Sequence, residues 1–318
     1  MQIGGEIRYN IFMNEKNKQN LIGQVLLFSA TIIWGTSFVV LADTIAEVPK
    51  FYVIGLRFLS SALIFFVIFH KRILKMNKRT LIGGLFAGIS LALAYTTQTI
   101  GLEHTTPGKN AFLTSLYCVL APFLVWIMLK EKPKSYNIIA LCTCIIGVGF
   151  ISFSGGEAIL TFTFLGEGMT LFSAVFFAFQ LVYLEKYSDC DTASMVFVQL
   201  LTTAVFVCLL SLTTELPKGI DVYRLNLNQG LKILYLTVFA TIYAQIALIK
   251  GQKKTNPSEA AIILSLEAVF GALFSILFGK EKVTVPLIVG FTIIFLSVLM
   301  SELKIDLIGL IGKKKKTE

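Results

Sequence analysis

The sequence predicts an all-α membrane protein of ten transmembrane helices, built as two five-helix repeats inserted in opposite orientations. Three observations carry this: the apolar composition, ten separate apolar runs, and a match of the chain to itself. Hydrophobic residues occupy 55% of the 318 positions and charged residues 15%, against roughly 25% charged in a soluble domain. A water-soluble fold has no interior large enough for that much apolar surface.

A helix needs about 20 mostly apolar residues to cross roughly 30 Å of hydrocarbon. Such runs lie at 20–41, 52–70, 80–101, 107–129, 135–153, 164–185, 192–213, 230–249, 257–279 and 284–303. The breaks have recognisable chemistry: Pro49-Lys50, the basic stretch His70 to Arg79, Thr106-Pro107-Gly108, Lys130 to Pro133, Ser154-Gly155-Gly156, Asp189 to Asp191, Lys253 to Pro257, and Lys280-Glu281-Lys282. Thr106 and Asn256 precede Pro107 and Pro257, so each pair reads as a helix cap followed by a first-turn proline. Glu259 could complete a capping box with Asn256. The first twenty residues are polar and charged, so no cleavable signal peptide is expected and the first apolar run stays in the protein.

At a shift of 150 residues, Ala94, Gly101, Thr105, Pro107, Ala111, Ser115, Leu116, Val119, Lys130, Glu131, Lys132 and Ile138 meet identical residues, from Ala244 to Ile288. Apolar composition alone would match leucines, not a proline and a Lys-Glu-Lys. Leu27-Phe28-Ser29-Ala30 likewise matches Leu171-Phe172-Ser173-Ala174. The division is a tail at 1–19, repeats at 20–153 and 164–303, and a basic tail at 304–318. Five helices is an odd number, so the second repeat enters from the opposite side, and inverted repeats suit a central site opened first to one side and then to the other.

Orientation follows from Lys and Arg. With a cytoplasmic N-terminus, that side holds twenty of the 28, in the N-tail, at Lys71–Arg79, Lys130–Lys134, Lys186, Lys250–Lys254 and Lys304–Lys316. The other side holds seven: Lys50, Lys109, Lys218, Arg224, Lys232, Lys280 and Lys282; Arg57 lies within a run. The positive-inside rule then places both termini in the cytoplasm and the protein in the plasma (inner) membrane. The same rule accounts for the net charge of +9 without nucleic acid. Lys313 to Lys316 set orientation, with anionic lipid contact or a retrieval signal as other readings.

Polar groups at membrane depth are costly and usually face a cavity. Glu267 lies ten residues past Pro257, about 15 Å along its helix, near mid-membrane, with small neighbours Ala260 and Gly271. Stripped of water among Leu266, Ala268, Val269 and Phe270, it is a candidate for proton coupling or for recognising a cationic group; a packing role for a neutral Glu is the alternative. Arg57 is about 9 Å from the end of its run, which leaves a substrate role and snorkelling to the surface both open. Trp34, Ser37, Tyr95, Gln98, Asn110, Thr114 and Tyr117 fall at compatible depths, the last three sharing a face by i, i+4, i+7 spacing. Gln180, Tyr183, Gln199, Tyr243 and Gln245 occupy the other half; Gln245 could bind substrate or serve structure. Each alone could be helix–helix glue.

No catalytic motif, cofactor site or metal cluster is expected, because two histidines and five cysteines leave little material. Cys142 and Cys144, two apart on a helix, point to different sides. The partners implied are a small-molecule substrate and the lipid bilayer, and a homodimer is compatible with the sequence.

Taken in order, Trp34-Gly35-Thr36-Ser37-Phe38, Pro49 with Arg57-Phe58, Tyr95-x-x-Gln98-x-x-Gly101-Leu102, Asn110 to Leu116 leading to Lys130-Glu131-Lys132, Pro257 to Ala261, Leu264 to Glu267, and Gly279-Lys280-Glu281 resemble the EamA-like branch of the drug/metabolite transporter superfamily. The resemblance covers nearly the whole chain. It implies a ten-helix bundle whose cavity is lined by the first four helices of each repeat, the fifth and tenth being peripheral. It further implies export of amino acids, other metabolites or toxic cations without ATP. Ala268 departs from it, since many relatives carry Pro after the Glu. A secondary exporter of amino acids or related small metabolites is the expected function. Export of drugs or toxic organic cations, a channel or receptor, and a membrane-embedded enzyme are the alternatives. In cells carrying a cysteine-free variant, Asp221→Cys should react with an impermeant maleimide from outside and Lys75→Cys only after permeabilisation; the reverse pattern would overturn the orientation.

Overall fold

The computed structural model describes residues 2–152, 162–255 and 257–304. Ser154-Gly155-Gly156, Asn256 and the Lys313 to Lys316 run lie outside them. All regular elements among the described residues are helical: α1 (Gln2–Ile45), α2 (Lys50–Ile73), α3 (Lys78–Glu103), α4 (Pro107–Thr114), α5 (Tyr117–Leu129), α6 (Ser135–Ser152), α7 (Met169–Lys186), α8 (Thr192–Thr214), α9 (Leu227–Thr237), α10 (Ala244–Gln252), α11 (Pro257–Leu277) and α12 (Val285–Glu302). A π-helical turn, Phe164–Gly168, leads into α7, and a second, Val238–Tyr243, joins α9 to α10 in one continuous rod.

Nine stretches among the described residues, rather than ten, are long and apolar enough to cross a bilayer. The exception is the run expected at 135–153. There the described residues carry a shorter apolar helix, Ser135–Ile151.

Caps set the helix starts. Thr106 Oγ1 accepts from Lys109 N–H at 3.4 Å, with Pro107 in the first turn, while Asn77, Asp191 and Thr284 cap α3, α8 and α12 in the same way. Glu259 is engaged across helices, accepting from Asn20 Nδ2 at 3.0 Å and Gln24 Nε2 at 2.9 Å. Between α4 and α5 the ladder tightens: Leu116 N–H reaches Leu113 O, and Cys118 N–H reaches Ser115 O. The matching stretch of α11, around Ser265-Leu266 and with Ala268 in place of Pro, stays regular.

Helices of one half pack mainly on helices of the other. The chief pairs are α3 with α7, α2 with α8, α6 with α12, α1 with α11, α3 with α8, α1 with α10, and α4 with α11. By the 150-residue match and its earlier extension, α1 corresponds to α7, α2 to α8, α3 to α9–α10, α4–α5 to α11 and α6 to α12. Exchanging the halves turns the α1–α10 contact into α7–α3 and the α1–α11 contact into α7 against α4–α5, all of which occur. The α2–α8, α4–α11 and α6–α12 pairs map onto themselves.

One apolar cluster lies among α4, α5, α6, α11 and α12, where Phe112 stacks on Phe291 with centroids 4.1 Å apart. Another joins α2, α3 and α8 around Phe58, Phe65 and Leu200. Outward-facing Val67, Ile127 and Leu209 remain exposed, as a lipid-facing surface requires. Cys142 is exposed and Cys144 buried on α6, as their spacing dictates.

α6 pairs with α12 through facing glycines. A Cβ on Gly290 would stand 2.7 Å from Ile151 Cγ1 and 2.9 Å from Gly147 O, so only backbone fits there, the means by which membrane helices approach closely. Gly290→Leu should therefore destabilise the pair by about 1–3 kcal/mol, seen as a lowered melting temperature in detergent; an unchanged melting temperature would contradict the close contact.

Candidate functional site

A cavity of about 180 Å³ lies at the centre of the bundle. Its wall includes Trp34 and Ser37 from α1, Arg57 from α2, Tyr95 and Gln98 from α3, Thr114 and Tyr117 from α4 and α5, Gln245 from α10 and Glu267 from α11. Gln180 lines it too, whereas Tyr183, Gln199 and Tyr243 do not, and of the residues expected to bind substrate Asn110 alone stands off this wall. It is fully buried, and its amide Nδ2 donates to Gln98 O at 3.1 Å and Thr170 Oγ1 at 2.8 Å, tying α4 to α3 and α7.

Arg57 is 2% exposed and does not reach for the surface, which removes the snorkelling reading. Its Nε donates to Thr241 Oγ1 at 2.7 Å, and Nη2 donates to Ala240 O at 3.3 Å and to Tyr95 OH at 3.5 Å. The guanidinium carbon sits 5.1 Å from the Tyr95 ring centroid and 5.4 Å from that of Phe58, within cation–π range. Among the described residues no carboxylate lies within ion-pair distance of it.

The π-helical turn supplies these acceptors. Within it, Ala244 N–H bonds Phe239 O, one residue earlier than an α-helix would use, and Thr241 Oγ1 donates to Leu236 O at 2.9 Å. Ala240 O is thereby released to accept from Trp34 Nε1 at 2.9 Å as well as from Arg57. Such turns recur at functional sites because they expose backbone groups inside a helix. Thr36 hydrogen-bonds Tyr235 on the same rod, fixing α1 beside α9.

Across the cavity Gln98 Nε2 donates to Thr114 Oγ1 at 3.1 Å. Glu267 is carried by a face of α11 whose Ala268 and Ala272 are buried and whose Gly271 meets Ala111 and Phe38. These small residues let α4 and α1 close in while the carboxyl faces the opening. Among the described residues it has no hydrogen-bond or ion-pair partner. It also borders a second, much smaller cavity with Ser115, Cys118 and Ser265.

Sequence reasoning missed the phenylalanine share of the wall. Phe38, Phe58 and Phe177 line the cavity, Tyr95 meeting Phe58 and Phe177 edge-on at 4.8 and 5.4 Å. With 27 phenylalanines in an apolar chain, nothing local marks these three. Thr241 was equally unmarked, since its role depends on the π turn.

A sequence model of the EamA-like transporter family matches residues 21–153 and 164–303. The chain belongs to the EamA-like transporter family. It is 28% identical over 295 residues to an uncharacterized transporter of Archaeoglobus fulgidus, covering 90% of this chain and 88% of that one. To the uncharacterized transporter YvbV of Bacillus subtilis it is 25% identical, covering 88% and 91%. A solved crystal structure shares the fold at a TM-score of 0.63 with 15% identity, covering 90% of this chain and 96% of that one. This EamA-like protein is thus a multi-pass membrane transporter.

Asn110 anchors the wall of the transporter's cavity without joining it. Asn110→Ala should cost about 1–3 kcal/mol, because it removes two buried hydrogen bonds between helices, and should lower the melting temperature in detergent; no measurable change would show that these bonds do not hold α3, α4 and α7 together.

Proposed function

We propose that this transporter exports amino acids or related zwitterionic metabolites across the plasma membrane by alternating access, with both termini cytoplasmic and the halves 20–153 and 164–303 inverted. The observation that carries the substrate class is that one cavity presents a guanidinium and a carboxyl group, Arg57 and Glu267, neither with an ionic partner among the described residues. Unpaired ionisable groups in a low-dielectric interior are costly, and a ligand carrying both signs relieves both. Its carboxylate would bind Arg57, beside Tyr95 and Trp34, and its ammonium Glu267, beside Tyr117.

Size supports the same reading. A cavity of about 180 Å³ is small against the roughly 300–1,000 Å³ typical of drug-sized ligand sites. Export of organic cations, the second reading, would use Glu267 and the aromatic faces, but the cationic Arg57 on the same wall opposes it. Alternating access is supported by a contact network that maps onto itself when the halves are exchanged, since such a bundle has two near-equivalent arrangements.

Glu267 is also the group through which protons would couple, because the same carboxyl can hold either a proton or the substrate ammonium. In liposomes, Glu267→Gln should abolish proton-driven accumulation of neutral amino acids while leaving exchange. Arg57→Gln should weaken apparent affinity at least about tenfold, the worth of a hydrogen bond to a charged group. Transport of monovalent organic cations in preference to zwitterions, with Arg57→Gln improving it, would select the second reading instead.

A further inference from the structure

Matching segments of the two halves lie at opposite ends of the bundle, and one of them behaves differently at its two ends. Lys109 and its counterpart Glu259, two residues past the paired prolines, are both engaged: Lys109 Nζ lies 3.6 Å from Glu167, and Glu259 binds Asn20 and Gln24. The Lys-Glu-Lys segments do not match in this way. After α11, Lys280 Nζ lies 2.6 Å from Asp43 at the end of α1. Glu281 is buried, accepting from the Thr106 hydroxyl and the Lys109 backbone N–H at the start of α4. After α5, Lys130 and Glu131 are exposed, and their side chains make no ion pair or hydrogen bond among the described residues.

The seat of Glu281 is shaped by a residue that the other half lacks. A Cβ on Gly108 would come within 2.6 Å of Glu281 Oε2, so the carboxylate occupies space that only glycine leaves. The corresponding position carries Ser258. On the orientation proposed above, the Glu281 end is the outer end.

We infer that Glu281 is the residue that holds the outer end of the transport cavity closed, through a seat that the other half, with Ser258 at the position of Gly108, does not repeat. The structure then holds this outer latch engaged. Closure works through charge and capping together: the carboxylate completes the α4 N-terminus, where backbone N–H groups favour an anion, and Lys280 ties the same segment to α1. Both bonds join the end of α11 to helices of the first half, so releasing them frees one half from the other. This rests on the transport reading, but its test does not.

The test uses the full chain without its native cysteines and with Leu41→Cys, a cavity position four residues from the end of α1. An impermeant maleimide is applied to intact cells and, separately, to inside-out vesicles. Glu281→Ala, and Gly108→Ser, which fills the seat while keeping the carboxylate, should each raise the rate from outside about tenfold and slow it from inside. Glu131→Ala, at the matching exposed carboxylate, should leave both rates unchanged. The inference falls if neither outer-end variant changes the outside rate. It also falls if outside and inside rates rise together, as loosened packing would produce. Substrate counterflow in liposomes of the same protein separates the two claims, since its absence would defeat the transport reading while the sided rates still report on the latch.

Discussion

A guanidinium held away from water organises the interior of this protein. Arg57 cannot be solvated where it sits, so its donors must be met by the protein itself. An unbroken α-helix opposite it would offer no free carbonyl, and the π-helical turn Val238–Tyr243 provides one at Ala240 together with the Thr241 hydroxyl. Trp34 uses the same carbonyl. One local irregularity thereby fixes α1, α2 and the α9–α10 rod around a common point. Tyr95 and Phe58 complete the enclosure with their ring faces, leaving Arg57 without a counter-ion among the described residues.

The rest of the bundle keeps that cavity open by packing tightly elsewhere. Small residues sit where helices cross: Gly147 and Gly290 between α6 and α12, and Gly271 against Ala111 between α11 and α4. Away from the centre, aromatic stacking and branched aliphatics fill the clusters. At the centre, helices meet through hydrogen bonds, from Gln98 to Thr114 and from Asn110 to Thr170. Directional bonds hold a wall in place without filling the space in front of it, which dispersion packing cannot do.

Charged contacts gather at the ends, where water and headgroups lower their cost. Glu215 accepts the backbone N–H groups of Phe51 and Tyr52 at 2.9 Å each, closing the start of α2 from the end of α8. Glu47 lies 3.4 Å from Lys232, and Arg79 lies 3.0 Å from Asp189 at the other end. Pairs of this kind contribute little to stability individually, but they join one half to the other, so their state at each end is coupled to how the halves are disposed. Family relatives share the scaffold across nearly their whole length, and a shared scaffold does not specify a substrate; that information lies in the few groups facing the cavity.

Apolar runs, prolines and basic clusters were enough to place the helices, because hydrophobicity, chain-breaking chemistry and charge act on segments of about twenty residues and need no partner. The self-match around Pro107 and Pro257 was legible for the same reason, and depth along a helix grouped Trp34, Tyr95, Gln98, Tyr117 and Glu267, which line one cavity. Rotation about each helix axis was not legible. Asn110 shares a helical face with Thr114 and lies at the same depth, yet turns its amide into the contact with α3 and α7, a choice set by neighbours distant in sequence. Arg57 offered two readings until Thr241, nearly two hundred residues later, was seen to accept from it. Phe177 looked like any other apolar residue, and Glu131 and Glu281 looked equivalent. The sequence alone determined what must leave water and how deep each group lies. Tertiary structure decided which groups face one another, because hydrogen bonds, ring contacts and ion pairs depend on ångström-scale placement of segments that local periodicity cannot relate.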